Sequence, residues 1–180
     1  MEIPSTFSVS DSISFEGAIE LTQSLLAEVE RHHVSEPELE RIITALVQSE
    51  NGARGFFVSY LTDDRDFIDQ MQPTVVQALL NSEGTVGDLL TKNLVMSTAM
   101  ILTHTRNQNP DMAASSARTR QRTAAIIRQM RSLKVDEHLM RMKSTIEQGG
   151  GDYQKFLDRW KYDAEQKAAM LDAIGYALLN

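Results

Sequence analysis

Apolar side chains recur at intervals of three and four residues along nearly the whole chain, and this spacing constrains the fold more than any other feature. One segment shows it with Leu39, Ile42, Ile43, Leu46 and Val47. An α-helix places residues so spaced on one face, which can then be buried. The run 56–60 has β-forming residues, but no second strand candidate exists to pair with it. The pattern therefore predicts an all-α protein.

Capping residues and breakers predict where several helices begin and end. Ser35-Glu36-Pro37-Glu38 combines a cap residue, a first-turn proline and a glutamate, and it predicts a helix start. Asn51-Gly52 is expected to stop that helix. Thr85-Val86-Gly87-Asp88 predicts a cap before a long helix that runs to about residue 106. Asn109-Pro110 and the three glycines 149–151 are expected to break the chain.

These signals predict a bundle of seven to eight helices around a buried central helix at about 86–106. Residues 94–102 are apolar on most of the helical circumference, which is typical of a helix inside its domain. The length of 180 residues suits one domain. We expect a polar N-terminal tail over 1–13 and a single helical domain over 14–180.

A helix predicted from Pro110 to about residue 133 carries a weak heptad seam. The spacing alternates between four and three residues, but small polar side chains occupy its first half. The seam consists of Met112, Ser116, Thr119, Thr123, Ile126, Met130 and Leu133.

Charge is distributed unevenly along the chain. The net charge is −7, yet residues 1–105 carry 5 basic and 16 acidic side chains, and residues 106–161 carry 12 basic and 6 acidic ones. Such asymmetry is typical of self-association or of a charged partner. The chain has no cysteine, which excludes disulfides and thiolate chemistry. No apolar run reaches the roughly 20 residues of a membrane span, and no secretory pattern is visible at the N-terminus, so we expect a cytoplasmic protein.

A polar stripe on the predicted central helix is the first candidate site. Asn93, Ser97 and His104 lie within about 40° of one another on a helical wheel. Together with Tyr60 they predict a cleft for a small apolar or amphipathic ligand. The alternative is a set of interior polar groups that neighbouring backbone satisfies.

The basic segment is the second candidate site. Arg118, Arg122, Arg128 and Arg131 are predicted to contribute to an interaction surface for a protein partner. The arginines do not form one stripe, and no aromatic residues for base stacking lie between them, so we do not expect nucleic-acid binding. The alternative is an ordinary solvated helix face.

The sequence offers little evidence for a metal site or for a catalytic site. The acidic connector 62–72 lacks the glycine and glutamate of an EF-hand. Glu30 and His33 form only one of the two Glu-x-x-His pairs that a di-iron bundle needs. No P-loop, G-x-S-x-G or H-E-x-x-H motif occurs. We therefore predict no metal, no cofactor and no catalytic residue, and the missing motifs weigh against an enzyme without deciding the question.

The sequence thus predicts a non-enzymatic helical protein that acts through protein–protein interaction, in an adaptor or regulatory role, with self-association as a homodimer among its forms. A helical binding protein for a small ligand is the alternative.

Overall fold

The computed structural model describes residues 7–179. This part of the chain is helical and contains no strand, which confirms the predicted all-α class. Its contacts cluster into two compact units, an N-terminal unit of residues 1–86 and a C-terminal unit of residues 87–180. The single domain over 14–180 stays a prediction. Of the predicted tail, residues 7–13 contain no helix, and positions 1–6 lie outside the described residues. Within 7–179 no helix is long and apolar enough to cross a membrane.

Serine caps begin the first helices of the N-terminal unit. Ser14 accepts a hydrogen bond from the Gly17 amide, and Ser35 accepts one from the Glu38 amide, as the sequence signal at Ser35 predicted. Helix α1 packs on α3, and α2 packs on both α3 and α4. The helices are α1 (Phe15–Glu30), α2 (Glu36–Val47), α3 (Glu50–Thr62) and α4 (Gln72–Leu79), with 3₁₀ helices at Asp66–Met71 and Leu80–Ser82.

The predicted stop at Asn51-Gly52 is wrong, because both residues lie inside α3. Ser49 caps α3 by accepting from the Gly52 amide at 3.1 Å. A Cβ on Gly52 would lie 2.0 Å from the Leu46 carbonyl oxygen. The glycine therefore allows the end of α2 and the start of α3 to approach closely.

The run 56–60 is helical rather than extended, as the missing strand partner predicted. Phe56 and Tyr60 lie one turn apart on α3, with their rings stacked at 5.3 Å between centres. Both are fully buried, so these two aromatic side chains fill part of the interior of this unit, whereas Val58 between them is 47% exposed.

The predicted long helix exists as α5 (Glu83–Arg106). Its predicted cap at residues 85–88 is wrong, because the helix already begins at Glu83. The preceding residues 79–82 have backbone angles near those of a helix, so the chain enters α5 without a break. The C-terminal unit continues with α6 (Pro110–Met130), α7 (Leu133–Gln148), α8 (Gln154–Trp160) and α9 (Ala164–Leu178).

The helix predicted from 110 to about 133 ends at Met130. Arg131 has left-handed backbone angles, with φ 47° and ψ 42°, and Ser132 then caps α7. The heptad seam therefore does not continue to Leu133, which is 80% exposed on α7. Its second half on α6 is buried, whereas Met112 at its start is 47% exposed.

Helix α9 is held in the C-terminal unit by its first turn. Asp163 and Gln166 form a reciprocal capping box. The Gln166 side-chain amide also donates to the Ala99 carbonyl oxygen at 3.2 Å and to the Thr103 hydroxyl at 3.0 Å, both on α5. Residues 149–151, the predicted glycine break, all have positive φ.

Candidate functional site

The hydroxyl groups of two predicted ligand residues bind carbonyl oxygens within the chain. Ser97 on α5 is buried, and its hydroxyl donates to the Asn93 carbonyl oxygen at 2.6 Å. Tyr60, in the N-terminal unit, donates its hydroxyl proton to the Ile68 carbonyl oxygen at 3.3 Å. Asn93 and His104 are partly exposed. A ligand role for these four residues stays a prediction.

The four predicted arginines differ in their surroundings. Arg122 is only 5% exposed and has interactions within the chain. Arg128 donates from Nη1 to the Tyr176 carbonyl oxygen at 2.7 Å. Arg131 forms the exposed end of α6, and Arg118 is partly exposed. A partner surface thus stays a prediction for all four arginines, and Arg128 also contacts Tyr176 within the C-terminal unit.

One carboxylate of the acidic connector, that of Asp63, is paired within the N-terminal unit. The Arg65 guanidinium binds both carboxylate oxygens of Asp63, at 2.7 to 3.2 Å, and also the Glu30 carboxylate at 2.8 Å. The His33 Nδ1 atom lies 2.8 Å from a carboxylate oxygen of Glu28, whereas Glu30 binds Arg65. Glu30 and His33 therefore have different partners. Within residues 7–179 no group of three or more His, Asp or Glu side chains is placed to hold a metal ion.

An open groove of about 510 Å³ runs between α6 and α9, with Leu94 of α5 beside it. Small apolar side chains line much of it, because both helices present alanines to it at helical spacing. The charged and polar lining residues are Arg120, Gln121, Asp172 and Tyr176. The alanines are Ala117 and Ala124 on α6, and Ala169 and Ala173 on α9.

Tyr176 lines the groove and is 57% exposed. Its position is set by Arg128, whose guanidinium carbon lies 4.8 Å from the centre of the ring. The hydrogen bond from the same guanidinium to the Tyr176 carbonyl oxygen ties the backbone of α9 to α6. The exposed ring is therefore held in place before any partner arrives.

The groove carries one cation and one anion on opposite sides. Arg120 projects from α6 and Asp172 from α9, and both are exposed. Neither has an ion pair or a hydrogen bond with another residue of the described part of the chain. An incoming surface that offers the opposite pattern of charges would pair with both.

A family model matches residues 14–177. The chain belongs to this family, which is described as Uncharacterised conserved protein UCP020893. The matched range begins at Ser14, the cap of α1, and takes in every residue that lines the groove. No curated protein and no solved structure matches the chain.

None of the eight predicted site residues lines the groove. The signal in the sequence is the alanine spacing, since Ala124 follows Ala117 by seven positions and Ala173 follows Ala169 by four. Such spacing places each pair on one helix face. Alanine spacing does not show which two helices are neighbours. The sequence alone therefore could not predict that these two faces line one groove.

A buried polar cluster lies elsewhere in the C-terminal unit. The Tyr153 hydroxyl and the His138 Nδ1 atom are 2.8 Å apart, and Tyr153 is 3% exposed. Burial, and then the negative charge of Asp88, raise the pKa of the Tyr153 hydroxyl well above its ordinary range. The cluster joins α7 to the segment that precedes α8, which is a role in packing.

Proposed function

We propose that the chain is a non-enzymatic helical protein that acts by binding another protein, and that the groove between α6 and α9 is its docking surface. The observation that supports this most is the exposed Tyr176 ring, held over an alanine-lined groove by Arg128. Tyrosine and arginine are enriched among the residues that dominate binding energy at protein interfaces.

The distribution of charge adds support. The N-terminal unit has 4 basic and 15 acidic side chains, a net charge of −11, whereas the C-terminal unit has 14 basic and 10 acidic ones, a net charge of +4. A protein with units of opposite sign attracts charged partners and orients them during approach. The missing catalytic motifs agree with a binding role.

Photo-crosslinking from inside the groove tests the proposal. A photoreactive phenylalanine analogue replaces the exposed Tyr176, which is already an aromatic residue of similar size, and the matched control carries it at Gln129, which is exposed on α6 about 180° around the helix from Arg120. We expect a crosslink from position 176 to one protein identified by mass spectrometry, either a second copy or another chain. The yield should fall when Ala173→Leu is added, because the larger side chain fills the groove. Equal yields from 176 and 129 would refute the groove as the docking surface.

A small amphipathic ligand is the second candidate. The groove volume of about 510 Å³ falls within the range of small-molecule sites, and its lining is both apolar and polar. Titration with a fluorescent amphiphile such as anilinonaphthalene sulfonate tests it. Saturable binding that Ala173→Leu abolishes would favour the ligand, and non-saturable or unaltered binding would reject it.

A further inference from the structure

We infer that the occupant of the groove is α9 of a second copy of this chain, bound symmetrically so that each α9 lies in the groove of the other. The inference rests on the proposed function and names the partner. It is argued from the charges on the two walls, the exposed ridge of α9, and a glycine on that ridge.

The charges on the groove walls are self-complementary. Arg120 and Asp172 lie on opposite sides, and neither is paired within the described residues. A two-fold axis makes every contact occur twice, so that Arg120 of one copy meets the partner copy's aspartate at position 172 and the reverse. The chain itself therefore carries the pattern of charges that complements this groove.

The ridge of α9 beside the groove is uncharged apart from Asp172. Ala168, Asp172 and Gly175 recur at spacings of four and three, which places them on one face, and Leu179 follows directly after the last residue of α9. All four are exposed, and Leu179 is 64% exposed. The adjacent Tyr176 extends the apolar surface. This face exposes apolar surface to water, and a second α9 would cover that surface.

Gly175 makes no close contact with another element of the described residues. A Cβ placed on it would meet no atom within 4 Å. Glycine weakens a helix relative to alanine, and nothing within the described residues offsets that loss. Close approach of a second helix would offset it, since a glycine lets two helix backbones come nearer than any other residue does.

Charge reversal tests the pairing. We expect the full chain to sediment as a dimer, and R120D or D172R alone to raise the dimer dissociation constant about tenfold or more, because each variant opposes like charges twice. An equimolar mixture of the R120D chain and the D172R chain should form a one-to-one heterodimer, since one carries two acids and the other two bases. The double variant R120D/D172R should dimerise like the wild type. Gln129→Asp, on the far side of α6, serves as the control and should change nothing.

A crosslink supplies a measurement that does not depend on charge. The chain lacks cysteine, so Leu179→Cys introduces a single thiol next to the same face without adding bulk at Gly175. A bismaleimide should give a covalent dimer from this variant and none from Gln129→Cys.

The outcomes separate the inference from the proposed function. A wild-type chain that stays monomeric at high micromolar concentration would overturn the self-pairing. So would reversal variants that dimerise as tightly as the wild type. If position 176 still crosslinks specifically to a different protein, the proposed function stands. If it crosslinks to nothing, both fail.

Discussion

Arg128 contacts Tyr176 twice, with its guanidinium carbon 4.8 Å from the ring centre and its Nη1 donating to the backbone carbonyl oxygen at 2.7 Å. One side chain thus fixes both the ring and the end of α9. A planar guanidinium can stack and donate at the same time, which an ammonium group does less well.

Arg128→Lys should therefore loosen Tyr176 while it keeps the charge. We expect the free energy of unfolding to fall by about 0.5–1 kcal/mol, since one partly exposed hydrogen bond and one cation–π contact weaken. Urea denaturation measures this. Arg131→Lys, at an exposed position, is the matched control and should leave stability unchanged. A loss in the control equal to that in Arg128→Lys would contradict the account.

Tyr176→Ala should weaken association more than the loss of another exposed aromatic residue. Removal of the ring takes away the central apolar contact, and we expect the dissociation constant to rise by roughly a hundredfold, a typical effect at an interface hot spot. Trp160→Ala is the control, because Trp160 is 49% exposed on α8 and does not line the groove. Sedimentation equilibrium compares the two. A larger effect at Trp160 would place the interface elsewhere.

Gly52→Ala and Gly175→Ala should have opposite effects on stability. A Cβ at position 52 would lie 2.0 Å from the Leu46 carbonyl oxygen, so α2 and α3 must separate. We expect a loss of about 1–3 kcal/mol in the free energy of unfolding, typical of overpacking. At position 175 the added methyl group meets nothing, and alanine should stabilise the dissociated chain by up to about 1 kcal/mol. Thermal denaturation at low protein concentration measures both changes in stability. A change in the same direction for the two variants would contradict this prediction.

Tyr162→Phe should stabilise the protein, most of all at alkaline pH. The Tyr162 hydroxyl is buried, and no other described residue hydrogen-bonds it. Burial raises its pKa from 10 to about 12. Because the folded-state pKa is the higher one, the wild type loses stability as pH rises from about 10 to about 12. Phenylalanine cannot ionise at this position, so the variant should lose less stability than the wild type over this pH range. At neutral pH its free energy of unfolding should exceed that of the wild type by up to about 1 kcal/mol. Denaturation at several pH values shows this, with exposed Tyr176→Phe as the control.

Asp163→Asn should destabilise at neutral pH and not in acid. The Arg106 guanidinium, and then the Gln166 amide, lower the pKa of the Asp163 carboxyl. Since the folded-state pKa is lower than the unfolded one, the stabilisation is present above the unfolded pKa and is lost as pH falls through the folded pKa. Asparagine can still cap α9, so the difference reports the charge together with the hydrogen bond that the carboxylate accepts from Arg106. Urea denaturation at both pH values measures the difference in free energy of unfolding between the variant and the wild type. An equal difference at acid and neutral pH would contradict the prediction.

Much of the fold could be predicted from local signals. Ser35 and its proline identify the start of α2, and the glycines 149–151 identify the end of α7, because capping and breaking act within a few residues. The helix end predicted at Gly52 is wrong for a tertiary reason, because the closest contact of this glycine is the Leu46 carbonyl oxygen at the end of α2. The helix end at Arg131 could not be predicted, because no residue type there indicates its left-handed backbone.

The groove could not be predicted in the same way. It depends on α6 and α9 being neighbours, and Arg120 and Asp172 are separated by about fifty residues of chain. Helical periodicity gives the face of each helix but not its partner. For the same reason the sequence predicts a partner surface at Arg128 but not its contact with Tyr176.

Hydrogen–deuterium exchange of the full chain at low and high protein concentration tests the central claim most directly. The account predicts that exchange slows at high concentration in two places, residues 117–124 of α6 and residues 168–178 of α9, while α1 and α2 are unchanged. Slowing confined to the N-terminal unit, or no change in α6 and α9 between concentrations at which sedimentation shows association, would contradict it.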